Sequence, residues 1–200
     1  MARQFRELLG LPCSGKTHYL DNHECTPYFV DRISKAKRIY NAMLNFIKLY
    51  KISIITLKTF RHVKLKLWLL HLIGITRFYS RLYEMEKMSR SNTLAEEGVL
   101  QALWGFCFLL NINSKSRQLT QDIYINIPDR LKGDVCYVSV NKFILFNRNK
   151  ERAKKTRFSN LISDGLDSDY YYRGRYWMKF ILILTRKDSS LKVSFYQGVK

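Results

Sequence analysis

Three observations predict an α/β fold with a mainly parallel sheet. Short apolar or β-branched runs alternate with longer amphipathic ones along all 200 residues. A glycine turn joins the first such run to a helix-like stretch. Hydrophobic residues make up 46% of the chain, which favours a packed core over disorder. No repeat or low-complexity linker interrupts the pattern, so residues 1–200 read as one domain.

Residues 4–11, "QFRELLGL", form a short, mostly apolar run that reads as a buried strand. "GKTHYLDNH" then opens a helix. From Asp31 to Leu49 the pattern is helical, with Ile33, Ala36, Ile39, Met43, Phe46 and Ile47 near one face. "ISIITL", 52–57, suits either a strand or a join between helices. Two further helices are expected on either side of Gly74. The run "LWLLHLIGI", 67–75, is too short to span a bilayer and is flanked by Lys64, Lys66 and Arg77. It reads as a buried helix, with a surface anchor as the alternative. "TLAEE", between Asn92 and Gly98, is a very short strand candidate, and "VLQALWGFCFLLN" a buried helix.

The second half changes texture. "DVCYVSV", 134–140, is the clearest strand, and the helix after it becomes strongly basic. "LDSDYYYRGRYWMKFILILTRK" suggests an amphipathic helix from near Ser168, despite Gly174. "LKVSFY" supplies a last strand.

Charge narrows the class of ligand. Thirty-five Lys and Arg face 16 Asp and Glu, a formal charge of +19. Such a chain attracts phosphates on nucleotides, nucleic acid or anionic lipid, and charge alone does not choose among them. Cys13, Cys25, Cys107 and Cys136 form no CxxC pair and no zinc spacing with the four histidines. Reduced thiols are expected, two of them in the core. The first residues lack the apolar run of a secretory signal, so a cytoplasmic location is expected.

The sharpest motif is Gly10-Leu11-Pro12-Cys13-Ser14-Gly15-Lys16-Thr17, a complete G-x-x-x-x-G-K-[ST]. Glycines at both ends let successive backbone N–H groups turn inward as an anion nest. Lys16 can reach the outer phosphates, and the Thr17 hydroxyl can hold Mg²⁺. The following helix adds the positive end of its dipole. Cys13 serves there as a small residue or as a reactive thiol.

Such a loop needs an acidic partner at the tip of a neighbouring strand, for metal or acceptor. Glu96 and Glu97, directly before Gly98, are the best-placed pair. Glutamates that merely complement a helix dipole are the plainer reading. Asp21 and Asp31 are weaker candidates, and Asp31 also suits a helix cap.

Three stretches resemble P-loop kinases of the thymidylate kinase and deoxynucleoside kinase group. The resemblance extends to kinase-like ATP-binding proteins of bacterial surface-polysaccharide gene clusters. "ELLGLPCSGKTHYL" resembles the first strand and loop, with Cys13 where a second glycine is usual. "LAEEGVLQALW" resembles the apolar-Asp-Glu-Gly segment, with Glu96 at the Asp position and Glu97 at the Glu position. "GDVCYVSVNKFILFNRNKERAKKTRF" resembles the later strand, helix and arginine-bearing lid. The Asp-Arg pair common in these kinases is absent after Glu96, and residues 26–91 match no part of the pattern.

The resemblance implies a three-layer P-loop NTPase sandwich that binds ATP with Mg²⁺ and transfers the γ-phosphoryl to a small acceptor. It implies a helical acceptor region at about 26–91 and a basic lid at about 148–160. Lys16 would neutralise charge, Thr17 and Glu96 would support Mg²⁺, and Glu97 would orient or deprotonate the acceptor. Arg148, Arg152 and Arg157 would close over the phosphates, where a planar guanidinium forks onto phosphate oxygens. A solvated basic helix explains the same arginines without chemistry.

Residues 32–90 carry fourteen Lys and Arg against only Glu84 and Glu86, and Arg77 and Arg81 share a helix face. This basic region suits an anionic acceptor or peripheral contact with an anionic membrane. No RRM, KH, zinc-finger or helix-turn-helix pattern points to specific nucleic-acid binding. Tyr170, Tyr171 and Tyr172 beside Arg173 and Arg175 suit either base stacking or an aromatic helix face. A nucleotide-binding regulator without phosphoryl transfer, and a basic surface binder with an idle loop, are the competing readings.

Overall fold

Parallel pairing organises the chain. In the computed structural model, which describes residues 5–12, 14, 16, 19, 27–28, 34–88, 93–95, 97–151 and 167–197, five strands form one sheet. They are β1 (Phe5–Leu9), β2 (Pro27–Tyr28), β3 (Thr93–Ala95), β4 (Asp134–Ser139) and β5 (Val193–Gln197). Their order is β2-β3-β1-β4-β5, so a core of four strands is extended at one edge by the two-residue β2. Every pairing is parallel, with Glu7 beside Ala95 on one side and Val135 on the other.

Central parallel strands are covered on both faces, which is why "RELLG" is fully buried from Glu7 onward. Alternation sends Leu8 to one face, with Leu94, Cys136 and Val138. Glu7 and Leu9 point to the other, where the main core gathers Phe78, Leu103, Phe106 and Trp177.

Among the described residues, seven α-helices of defined extent lie around the sheet: α1 (Lys35–Lys48), α2 (Tyr50–Lys58), α3 (Trp68–Met88), α4 (Val99–Cys107), α5 (Ser114–Asn126), α6 (Lys142–Glu151) and α7 (Asp167–Lys187). The apolar α4 is buried along almost its whole length. Helix α7 lies against it, and the Trp104 indole donates to the Gly174 carbonyl at 2.8 Å. Arg173 is also buried and donates to Leu109 O and Asn111 Oδ1. Tyr171 is buried and Tyr172 exposed, so the tyrosine run is largely a helix face.

Several expectations need correction. Residues 52–57 are helical, inside α2. Helix α3 runs unbroken through Gly74, where two helices were expected. Helix α5 has no counterpart in the sequence reading, because its polar composition hides it. Ser34 caps α1, accepting the Lys37 N–H, whereas Asp31 lies outside the described residues.

The largest correction concerns α1. Its apolar stripe faces outward: Ile39, Met43 and Ile47 are all exposed, and so is Ala36. Asn41, Ala42 and Asn45 face inward instead. The cause is a polar seam between α1, α2 and α3. Asn45 Nδ2 donates to Tyr79 O, the Tyr79 hydroxyl donates to Ser53 Oγ, and Thr59 bonds His71 at 2.8 Å. Buried polar groups must find partners, and satisfying these fixes the rotation of the helices. The 67–75 run is likewise only half covered: Leu67, His71 and Ile75 are buried, but Leu69, Leu72 and Ile73 are exposed.

Cys107 and Cys136 are buried free thiols, as expected for two of the four cysteines. Among the described residues no helix is long and apolar enough to cross a membrane.

Candidate functional site

Strand β1 delivers the glycine loop to the C-terminal edge of the sheet. There the chain departs from β1 toward β2 on one side and from β4 toward β5 on the other. Open α/β sheets bind ligands at such a switch point.

Gly10 sits against β4. A Cβ there would lie 2.5 Å from Val138 O and 2.7 Å from Ser14 Oγ, so no side chain fits. The Gly10 N–H donates to Gln101 Oε1 at 3.0 Å, tying the loop to α4. Ser14 N–H donates to Leu11 O at 3.1 Å and closes the turn. Lys16 folds back over the loop, its Nζ 2.8 Å from Gly10 O and 3.3 Å from Leu11 O. Lys16 and Tyr19, the described residues that follow, are both helical.

Ser14 carries the most informative atom. The residue is 2% exposed, and its hydroxyl has no hydrogen-bond partner among the described residues. Buried hydroxyls are normally satisfied, and one left bare beside a lysine-ended glycine loop fits an incoming acceptor oxygen. Within the described loop, the Ser14 hydroxyl and the Lys16 ammonium are the groups able to meet a phosphate, whereas the expected inward turn of the Gly10 and Ser14 N–H groups is not seen, since Gln101 Oε1 and Leu11 O accept them. Cys13, Gly15 and Thr17 lie outside the described residues. So does Glu96, and with it the proposed Mg²⁺ pair. No cluster of three or more His, Cys, Asp or Glu able to hold a metal occurs among the described residues.

Glu97 follows β3 closely and stands near Lys16. Arg77 Nη2 donates to its Oε2 at 2.6 Å, and Arg81 Nη2 lies 3.5 Å from the same oxygen. Burial pushes this carboxyl up, but Arg77, Arg81 and Lys16 together hold it below the ordinary glutamate range. It is ionised at neutral pH. The shared face of Arg77 and Arg81 is thus aimed at Glu97. Arg81 also binds buried Glu84 at 2.8 Å, and Ser80 Oγ donates to Glu84 Oε1.

A cavity of about 370 Å³ opens beside the loop, lined by Leu11, Ser14, Tyr137, Asn141, Tyr171 and Arg175 among others. Helix α6 starts at its edge, where Asn141 Oδ1 accepts the Phe143 N–H. Arg148 lies on α6 and is partly buried, while Arg152 and Arg157 lie outside the described residues.

Two contributors, Glu7 and Gln101, were not singled out from the sequence. Glu7 is fully buried on β1 and accepts the Leu100 N–H at the start of α4 through both oxygens, at 3.2 and 3.3 Å. A carboxylate inside "FRELL" was the signal for it. Gln101, a polar residue within an apolar helix, signalled the contact to Gly10. Arg175, named with the tyrosine run in the sequence, sits 5.9 Å over the Tyr171 ring and lines the cavity with it.

The chain matches no protein-family model and no curated protein.

Proposed function

We propose that this protein grips the phosphates of ATP at Gly10–Thr17 and transfers the γ-phosphoryl to a small nucleoside-, nucleotide- or sugar-type acceptor. The observation that carries the reading is the buried Ser14 hydroxyl, without a hydrogen-bond partner among the described residues, within a loop ended by Lys16 at the switch point of a parallel sheet.

Each residue then has a task. Gly10 keeps the loop pressed on β4, and Gln101 fixes its first N–H. Ser14 donates its hydroxyl to a phosphate oxygen. Lys16 swings from the Gly10 and Leu11 carbonyls to the outer phosphates, exchanging neutral acceptors for charged ones. The adjoining cavity, with Tyr137, Tyr171 and Arg175, has room for the rest of the nucleotide. Glu97, ionised and aligned by Arg77, orients or deprotonates the acceptor hydroxyl. Arg148, with Arg152 and Arg157, offsets charge on the transferred group. Mg²⁺, supported by Thr17 and Glu96, would neutralise charge between the phosphates.

Titration calorimetry with an ATP analogue and Mg²⁺ tests the reading. Lys16→Ala should weaken binding at least about ten-fold. Equal affinity in the two proteins would overturn it.

One observation favours a second reading, a nucleotide-binding regulator without transfer. Arg77 and Arg81 already occupy Glu97. ATP binding without phosphorylated product across a broad acceptor screen would select it.

A further inference from the structure

The exposed apolar surface is concentrated on the helices before β3. Ile47 and Leu65 are each 74% exposed, Leu69 is 70% and Met43 is 60%. These side chains are not scattered. Ile39, Met43 and Ile47 recur every four residues on α1, so they form one ridge. That ridge borders a groove of about 280 Å³ whose other wall includes Leu57 of α2 and Leu72 of α3. The polar seam beneath holds the ridge outward, so it is a fixed feature of the fold. A contiguous apolar face of this kind marks an interaction surface.

Charge identifies what it meets. No Asp or Glu occurs between Ser34 and Tyr83. The next two acids are taken: Glu84 pairs with Arg81, and Glu86 with Lys48 and Arg130. Meanwhile Lys58, Arg61, Lys64 and Lys66 are all exposed: Lys58 follows Leu57, Lys64 and Lys66 flank Leu65, and Arg61 lies midway between the two leucines. Lys35 continues the α1 ridge one turn earlier. A second copy of this chain would set this basic surface against itself. An anionic bilayer accepts both components: acyl chains take the apolar ridge and headgroups take the lysines and arginine. Trp68, 44% exposed at the start of α3, has the amphipathic character favoured at that boundary.

We propose that the α1–α2–α3 face docks this protein peripherally on an anionic lipid surface, with Met43, Ile47, Leu65 and Leu69 entering the interface. The helices lie on the bilayer and do not cross it.

Vesicle flotation of the full chain tests this, with phosphatidylcholine alone or with about 30% phosphatidylglycerol added. Binding should require the anionic lipid and weaken with salt. Trp68 offers a direct reporter, because Trp104 and Trp177 are buried. Its fluorescence should shift to the blue on anionic vesicles alone. Combined Met43→Ser, Ile47→Ser and Leu69→Ser should lower partitioning at least about ten-fold. Combined Lys58→Glu, Lys64→Glu and Lys66→Glu should lower it on the order of a hundred-fold or more. The second set involves only exposed side chains and serves the test if the first set impairs folding. Lys16→Ala should bind vesicles like the parent, which separates docking from nucleotide binding. Equal binding to neutral and anionic vesicles, or full binding by the lysine variant, would overturn the proposal. So would a dimer in sedimentation equilibrium that the serine variant abolishes, with no vesicle binding by the parent.

Discussion

The Glu7 carboxyl caps a helix that is not its own: it accepts the Leu100 N–H from the middle of β1, across from the start of α4. Gly98, the residue at the helix cap, supplies no side chain of its own, and Glu7 fills the space where its Cβ would stand. Burial pushes the Glu7 carboxyl up to about 8, despite the Leu100 N–H and the charge of Arg81. The folded protein therefore holds a proton that the unfolded chain releases near 4.5. Stability from this group is fully present below 4.5 and is lost as pH rises through about 8.

Glu7→Gln keeps the shape and removes the titration. Stability of the parent should fall between about pH 4.5 and 8 by on the order of several kcal/mol, and its melting temperature with it. The variant should stay nearly flat over that range. Parallel profiles for the two proteins would show that Glu7 does not control the slope.

Ser14 separates fold from ligand. Ser14→Ala removes a buried hydroxyl that has no partner among the described residues, so stability should hold or rise by about 1 kcal/mol. ATP affinity should fall by roughly five-fold or more for the lost charge-assisted bond. Denaturant titration and calorimetry read the two effects separately. A stability loss with unchanged affinity would make Ser14 structural.

Gly10→Ala should damage both. The added methyl meets the fixed Val138 carbonyl, and the loop must move away from β4. A cost of about 1–3 kcal/mol is expected from such overpacking, together with at least about ten-fold weaker ATP binding. Chemical unfolding and calorimetry measure these.

Glu97 and Arg81 differ in the same network. Glu97 is over a third exposed, so Glu97→Gln should cost no more than about 1 kcal/mol of stability. On the proposed mechanism it lowers kcat about a hundred-fold or more, with ATP affinity little changed. Arg81→Ala instead strands the buried Glu84 carboxylate and should cost about 3 kcal/mol. Thermal melts alongside kinetics distinguish the two.

The strands around the loop were readable because buried parallel strands are short apolar runs bounded by turns. β1, β3 and β4 fall within the stretches expected, and β5 overruns "LKVSFY" by one residue, Gln197. The rotation of α1 was not readable. A helical period identifies an apolar stripe but not what covers it, and here Asn45 and Tyr79 turned the stripe away from the core. Helix α5 escaped because Ser114 to Asn126 is too polar to show a stripe. Gly74 misled in the other direction, since packing inside α3 outweighs one weak helix former. Within the site, the loop itself was legible from its spacing. The contacts of Glu7, Gln101 and Arg77 were not, because they join residues far apart in sequence and no local pattern encodes them.

The register Arg6 beside Asp134 has a consequence for how the chain matures. The central strand β1 is made long before its neighbour β4, which follows only after β2, β3 and helices α1 to α5. At typical synthesis rates β1 waits on the order of ten seconds for that edge. During that time the Gly10 turn has no Val138 to lean on and no Gln101 for its first N–H until α4 has been made. The loop's contacts to Val138 and Gln101 are therefore acquired late in biogenesis, and early release of a truncated chain leaves "RELLG" as an unpaired, aggregation-prone strand.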